Sequence, residues 1–310
     1  MAAEQQLEKL YITKIKPDRK QEIYSEYVLN KVVKTVVEKA KEKCDEFNEL
    51  YQNIFFGGSH FDGLKINSPK HDFDLNIIFR IPKQVDWYIG YLGDDVRRPN
   101  FASLCSSKHP SSNTPWNKLV VKNRHGHFVV SSKKMFSILQ TAVDRALTEI
   151  KNVIEVNNKE IRVTRATGAP VILNVMDGNR ELFTIDLVPC FKLELLHLKT
   201  ACPDLSKRVL TILSSFSLSS NHHFMAIALK NASSDTMEIH FPEIERSLLT
   251  KTGGCVHKVV RILKYLRDTK GGTISQLWSH LLKVSLSNGL LNFSPLLDGS
   301  DASGNKAAKE

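Results

Sequence analysis

The stretch from Asp72 to Phe79 constrains the fold of this chain more than any other segment. Its residues alternate between apolar Phe73, Leu75, Ile77 and Phe79 and polar Asp72, Asp74 and Asn76. A period of two predicts a β-strand with one buried face and one open face. Residues i and i+2 of a strand project from the same face, so Asp72 and Asp74 are expected to lie roughly 6–7 Å apart at Cα.

Two carboxylates so placed can bind divalent metal ions, and a third is normally needed to complete a two-metal site. The candidate is Asp186, in a second β-rich run from Thr184 to Val188 that is expected to end at Pro189. Mg²⁺ or Mn²⁺ suits a set of oxygen ligands. The alternative interpretation is a polar strand face without a ligand.

A Gly-Gly-Ser turn precedes the first strand, in Phe55-Phe56-Gly57-Gly58-Ser59. Glycines let backbone N–H groups approach a phosphate closely, and Ser59 adds a hydroxyl donor. A P-loop is excluded because Leu64, not lysine, follows Gly63. The turn alone is also compatible with an ordinary connection.

The remaining pattern predicts an α+β chain with two lobes. A long N-terminal helix from Asp18 to Tyr51 is expected to bury Leu29, Val33, Val36, Ala40, Cys44 and Phe47. Further strands are predicted over 153–163 and 171–176, and helices over 135–150, 205–219, 241–250, 254–268 and 273–287. We therefore expect a mixed β-sheet core with the long helix (1–198), a helical C-terminal lobe (199–297) and a disordered tail (298–310).

The composition of the 310 residues is that of a globular protein, with 42% hydrophobic and 25% charged residues. The net charge of +10 favours polyanionic partners. Five cysteines lack CxxC spacing, which argues against a structural zinc site. No signal peptide and no membrane span is indicated, so a cytoplasmic location without a membrane partner is expected.

The sequence has Gly58-Ser59, then Asp72-x-Asp74 and a distant Asp186. This arrangement resembles the motif of polymerase-β-like nucleotidyltransferases. Gly57 to Ile66 with Asp72-Phe73-Asp74 resembles cyclic GMP-AMP synthase and its animal relatives, the cGAS-like receptors. The stretch Phe241 to Leu249 resembles the family's "SFSxxEKxIL" segment, and Arg261 to Leu266 its "KLMKYLL" helix. The resemblance covers 20–288, nearly the whole chain.

The resemblance implies a bilobed nucleotidyltransferase that joins ATP and GTP into a cyclic dinucleotide. It places Asp72, Asp74 and Asp186 as catalytic ligands of Mg²⁺ or Mn²⁺. It also implies that Gly58 and Ser59 bind triphosphate and that Glu245 contacts a nucleotide. Lys264 then matches the lysine that reaches the donor phosphates, and Ser279 matches a serine beside the base.

Three departures from the family pattern bear on ligand identity. The segment Leu249 to Cys255 is too short for the His-Cys-Cys-Cys zinc ribbon of the DNA-sensing members, so the chain looks like insect receptors. For those, double-stranded RNA is the implied activator. The family's aromatic residue after Ser279 appears as His280 and its usual arginine before the "SF" stretch as Glu238. These two changes leave base order and linkage open.

Double-stranded RNA is recognised by shape and through its phosphates. The candidate surface is the basic side of the long helix and nearby cations, comprising Lys20, Lys31, Lys34, Lys41, Lys251 and Lys258, with Arg261 and the loop of Lys118, Lys122 and Arg124 as extensions. Two alternatives stay open, a transferase that makes linear products and an inactive RNA-binding or scaffold protein on the same fold.

Overall fold

The computed structural model describes residues 2–68, 71–81, 87–90, 101–110, 114–123, 126–167, 171–201, 203–215, 223–229, 236–251 and 254–270. The predicted helix over 273–287, Ser279, His280 and the tail from 298 lie outside these residues. In the described part the fold is α+β, as predicted.

The helices are α1 (Ala2–Leu10), α2 (Arg19–Lys43), α3 (Asp45–Leu50), α4 (Gly58–Phe61), α5 (Pro115–Leu119), α6 (Ser132–Glu149), α7 (Leu195–Ala201), α8 (Pro203–Ser215), α9 (Pro242–Lys251) and α10 (Cys255–Lys270). A π-helical turn, Tyr11–Ile15, follows α1. The predicted helices over 135–150, 241–250 and 254–268 are confirmed, and the one over 205–219 is confirmed through Ser215.

The strands are β1 (Tyr51–Gly57), β2 (Asp72–Phe79), β3 (Trp87–Gly90), β4 (Phe101–Ser106), β5 (Val120–Lys122), β6 (Phe128–Val130), β7 (Val153–Val156), β8 (Lys159–Arg165), β9 (Val171–Asp177), β10 (Arg180–Glu194), β11 (His223–Ala228) and β12 (Met237–His240). They form one twelve-stranded sheet along the path β5-β6-β4-β12-β11-β10-β9-β8-β7, from which β1, β2 and β3 branch. Strand β2 pairs antiparallel with β1 and parallel with β10.

The hydrophobic core lies between one face of this sheet and helices α2 and α6. From α2, Val28, Leu29, Val32 and Val36 are almost fully buried, and Phe73 and Leu75 on the apolar side of β2 belong to the same buried cluster. The opposite face of β2, which carries Asp72 and Asp74, is open. The core therefore fixes which side of the strand presents the carboxylates.

The long helix is shorter than the predicted 18–51. Asp18 caps its start by accepting a hydrogen bond from the Lys20 backbone N–H at 2.9 Å. It ends at Lys43 because Cys44 adopts an extended conformation with φ −142°, and α3 continues in a new direction. The apolar spacing runs unbroken through buried Cys44 and Phe47, so periodicity alone could not reveal the bend.

The predicted single strand over 153–163 is wrong, since the structure forms the hairpin of β7 and β8 there. Asn157 and Asn158 occupy the turn with φ values of 51° and 60°. Asparagine tolerates this left-handed region better than most residues, and a two-residue turn of that kind matches the twist of the two strands.

The expected strand end at Pro189 is also wrong, because β10 runs on to Glu194. Along one edge of β10, the pairing with β9 extends to Leu187 of β10, and the pairing with β11 starts at Cys190 of β10. Pro189 falls in the gap between them, where its missing N–H interrupts neither antiparallel ladder.

Candidate functional site

The parallel pairing of β2 with β10 brings the three predicted carboxylates onto one patch of the sheet. Asp186 lies directly opposite Asp74 in the register, and Thr184 lies opposite Asp72. Because paired residues on neighbouring strands point to the same face, all three aspartates share the open side. Asp72 and Asp74 are exposed and Asp186 is partly exposed.

Thr184 is a polar residue of this patch that sequence reasoning missed. Its hydroxyl donates a hydrogen bond of 2.8 Å to the Oδ1 atom of Asp72. Its backbone N–H donates to the carbonyl of His71 at 2.8 Å. The signal was present in the sequence, since Thr184 and Asp186 stand two residues apart on one strand face.

These carboxylates fit divalent metal ions in donor type and in backbone placement. Three acidic side chains on adjacent strands offer the oxygen ligands that Mg²⁺ and Mn²⁺ prefer. In the side-chain conformations of the described residues, no three His, Cys, Asp or Glu groups already converge as a metal cluster. Asp72 is turned onto the Thr184 hydroxyl instead.

The Gly-Ser turn lies at the edge of the same patch. Gly57 pairs with Asp74 at the end of β1, and Gly58 and Ser59 begin the one-turn helix α4. Gly58 has a φ of +76°, and a Cβ atom built on it would lie 2.0 Å from Asp74 Oδ2. A glycine is therefore required here both by the backbone and by the neighbouring carboxylate.

Lys264 reaches the turn from α10. Its ammonium group donates to Ser59 Oγ at 2.8 Å and to the Leu64 carbonyl at 3.2 Å. The residue is only 6% exposed. The sequence predicted Ser59 and Lys264 as separate nucleotide contacts, and the fold brings these two groups, 205 positions apart, into direct contact.

Helix α9 supplies the other predicted residue of this region, Glu245, which is partly exposed in the helix's first turn. The neighbouring Arg246 was not predicted, and it donates to Asp62 and to the Phe56 carbonyl on either side of the Gly-Ser turn. On β12, Glu238 lies 3.1 Å from His240.

Two histidines contact α2, namely His60 of α4 and His71, the residue just before β2. His60 Nε2 lies 2.7 Å from Glu26 Oε1, and burial lowers the pKa of this imidazole. His71 is 3.2 Å from the Gln21 amide and 2.5 Å from the Lys65 ammonium group. Burial lowers the pKa of Lys65. The long helix thus touches the site's flanking residues directly.

The six basic residues predicted to bind RNA fall into different surroundings. Lys20, Lys31 and Lys34 are exposed along α2, and Lys251 is exposed at the end of α9. Lys41 is half-buried, with its ammonium group 5.5 Å from the centre of the Tyr51 ring.

The N-terminal segment contacts the remaining candidates. Lys258 pairs with Glu8 at 2.7 Å, and Arg261 donates to the Tyr11 hydroxyl at 2.8 Å. In the loop proposed to extend the RNA-binding surface, Lys118 pairs with Glu46 and Lys122 is exposed. Arg124 lies outside the described residues. The open part of the predicted surface is therefore centred on α2.

Among the described residues, Cys44, Cys105 and Cys190 are buried and form no disulfide. No helix in the described part of the chain has the length and apolar character needed to cross a bilayer.

Comparison with known proteins agrees with this geometry. The Mab-21 protein nucleotidyltransferase domain matches residues 60–251. The chain is 26% identical over 260 residues to a "Cyclic GMP-AMP synthase-like receptor" of Aethina tumida, covering 78% of this chain and 60% of the relative. It is 26% identical over 265 residues to one of Microplitis demolitor, covering 80% and 46%. The chain thus spans 46–60% of the length of these two relatives.

Proposed function

This chain belongs to the Mab-21 nucleotidyltransferase domain family, and we propose that it joins ATP and GTP into a cyclic dinucleotide of the cyclic GMP-AMP type. The observation that carries the proposal is the register that sets Asp186 beside Asp74, with Asp72 on the same face and the Gly-Ser turn at its edge. The cGAS-like receptors among its relatives support this choice of product.

Asp72, Asp74 and Asp186 would hold Mg²⁺ or Mn²⁺. Such ions lower the pKa of an attacking ribose hydroxyl and offset the charge on the leaving pyrophosphate. Gly58, Ser59 and Lys264 would bind the donor triphosphate, and Glu245 would position a nucleotide. The ribose oxygen bonds to the α-phosphorus while the bond to pyrophosphate breaks, and the hydroxyl proton passes to water. A first transfer gives a linear dinucleotide triphosphate and a second closes the ring.

The proposed activator is double-stranded RNA bound along the exposed lysines of α2. Bound RNA would press on this helix and order the loop from Gly57 to Asn67, an order–disorder switch. The contacts of Glu26 with His60 and of Gln21 with His71 support that route. The proposal of a switch fails when the protein makes product equally fast without nucleic acid. In signalling terms, the product would serve as a second messenger of antiviral defence.

The proposed activity is tested by incubating the protein with ATP, GTP and Mg²⁺ or Mn²⁺ in three reactions that contain no nucleic acid, double-stranded RNA or double-stranded DNA. Products are resolved after phosphatase treatment, because a cyclic dinucleotide has no terminal phosphate to lose. A phosphatase-resistant product formed only with RNA supports enzyme, product and activator together. A phosphatase-sensitive product indicates linear synthesis, and no product in any reaction indicates an inactive relative.

Lys264→Met is expected to lower kcat/KM for ATP by about 10- to 100-fold, because a buried charge-assisted donor to a phosphate is lost. The side chain keeps its length, so packing between α10 and the turn is largely retained. Initial rates at varied ATP measure the effect. Lys207→Met, on an exposed position of α8, is the matched control and should stay within about twofold. Equal rates for both variants would remove Lys264 from the proposed site.

Reversing Lys31 and Lys34 to glutamate is expected to weaken RNA binding at least about tenfold and to reduce the salt slope of log K by about two, since two phosphate contacts are removed. Fluorescence anisotropy of a labelled RNA duplex over a range of NaCl concentrations measures both. The same reversals at Lys133 and Lys207, exposed lysines of α6 and α8, are the control for net charge. An identical loss in both pairs would indicate only a general charge effect.

A further inference from the structure

The Gly-Ser turn is held at both of its ends by one side chain, Arg246 of α9. Its Nη2 atom donates to the Phe56 carbonyl at 2.7 Å, just before the two glycines. The same nitrogen and Nε donate to Asp62 Oδ1, just after α4, at 3.2 Å and 3.3 Å. The guanidinium carbon also lies 5.0 Å from the centre of the Phe55 ring.

The contacts of Arg246 restrict the backbone conformation of the Gly-Ser turn. The Asp62 side chain is only 4% exposed, so its carboxylate depends on protein donors. Its backbone N–H donates to the Gly58 carbonyl at 3.1 Å, and the Leu64 N–H donates to the Ser59 carbonyl at 2.7 Å. Fixing Asp62 therefore fixes the backbone of the two residues that would meet the triphosphate.

The geometry points to Arg246 as a positioning residue for triphosphate binding, an inference that rests on the proposed function. The planar guanidinium can hold a carbonyl and a carboxylate in one fixed arrangement, which a lysine ammonium group cannot reproduce. In the RNA-bound protein, Arg246 would keep Gly58 and Ser59 in a bound-like conformation before the nucleotide arrives. Less conformational entropy is then lost when the nucleotide binds, because the turn is already ordered by the fold.

Arg246 also couples the two nucleotide-facing segments. It follows Glu245 directly on α9, so the helix that would contact one nucleotide is tied to the turn that would bind the phosphates of the other. Buried Leu64 packs with Leu249 of α9 and Val260 of α10, which reinforces the same junction. The turn, α9 and α10 thereby form one unit.

Arg246→Lys tests the inference. We expect the KM for ATP to rise about tenfold while kcat at saturation falls less than threefold, because bound nucleotide can re-order a loosened turn. A merely structural defect lowers the active fraction and leaves KM unchanged. With RNA bound, hydrogen exchange of the backbone amides over 57–64 should be faster in the nucleotide-free variant than in the wild-type protein, and it should return to the wild-type rate with ATP and Mn²⁺.

Arg145→Lys is the matched control, since Arg145 of α6 also donates to a backbone carbonyl of another helix, that of Lys43 in α2 at 3.1 Å, and neither helix contains a residue of the turn. It should change neither KM nor exchange over 57–64. Asp62→Asn should reproduce the Arg246→Lys phenotype, and the double variant should add little to either. An unchanged KM or unchanged local exchange in Arg246→Lys overturns the inference.

The exchange measurement separates this inference from the proposed function. When the wild-type protein makes no nucleotide product, the proposed function fails. Exchange over 57–64 in RNA-bound, nucleotide-free Arg246→Lys then still decides whether the arginine restrains the turn. When the wild-type protein is active and the variant is indistinguishable from it, only the positioning role fails.

Discussion

Replacing Asp72 and Asp74 together by asparagine is expected to reduce nucleotide transfer by a factor on the order of 10³ or more, because the metal ligands of the proposed reaction are lost. Asparagine keeps the side-chain shape, and Thr184 can still donate to the amide oxygen at position 72. Folding should therefore be preserved. Product formation from ATP and GTP with Mn²⁺, in the presence of RNA, measures the loss.

Two comparisons make this result specific. Asp177→Asn is the matched control, since this aspartate ends β9 and pairs with Lys159 at 3.4 Å away from the carboxylate patch. It should retain full activity. RNA affinity of the double variant should remain close to the wild-type value, because the basic surface of α2 is unaltered. Lost RNA binding would mean that the proposed catalytic and RNA-binding surfaces have been misplaced.

Gly58→Ala is expected to lower activity by about 100-fold or more, although it adds only a methyl group. The new Cβ would lie 2.0 Å from Asp74 Oδ2, so the carboxylate or the turn must move. Displacing a reacting arrangement by about 1 Å can cost that much in rate. Steady-state rates and the melting temperature are measured together, so that lost activity can be separated from lost folding.

Gly178→Ala is a stringent control for this substitution. Gly178 also has a positive φ, +59°, but nothing lies within 4 Å of the Cβ built there. Gly178→Ala should lower the free energy of unfolding by about 1 kcal/mol or somewhat more, because alanine is strained at this φ, and it should leave activity unchanged. Equal activity losses in the two variants would assign the effect to backbone strain and not to the crowding of Asp74.

The sequence was most informative along β2, where the alternation of apolar and polar residues coincides with two carboxylates suited to binding metal ions. Alternation along β2 predicted the strand from Asp72 to Phe79 and its open acidic face, and the structure has the same bounds. Asp186 could be proposed because an acid stood within a β-rich run, but its partner could not be identified. That Asp186 faces Asp74 depends on a parallel pairing between distant strands.

What escaped prediction depends on tertiary context. The bend at Cys44 is hidden because the apolar spacing continues through it, and Pro189 is tolerated only because two partner strands leave a gap there. The contact of Lys264 with Ser59 and the clamp by Arg246 join residues about 190 to 205 positions apart. No local pattern records such pairings.

The pairing of β2 with β10 also governs when the carboxylate patch can exist at all. Thr184 and Asp72 are 112 positions apart, so their hydrogen bond needs the closure of a long loop and belongs to the slow, non-local part of folding. During synthesis, a nascent chain that has emerged only through β9 contains Asp72 and Asp74 but not Asp186. Assembly of the patch is therefore tied to the pairing of β2 with β10, and a chain that ends before Asp186 would lack one of the three proposed metal ligands.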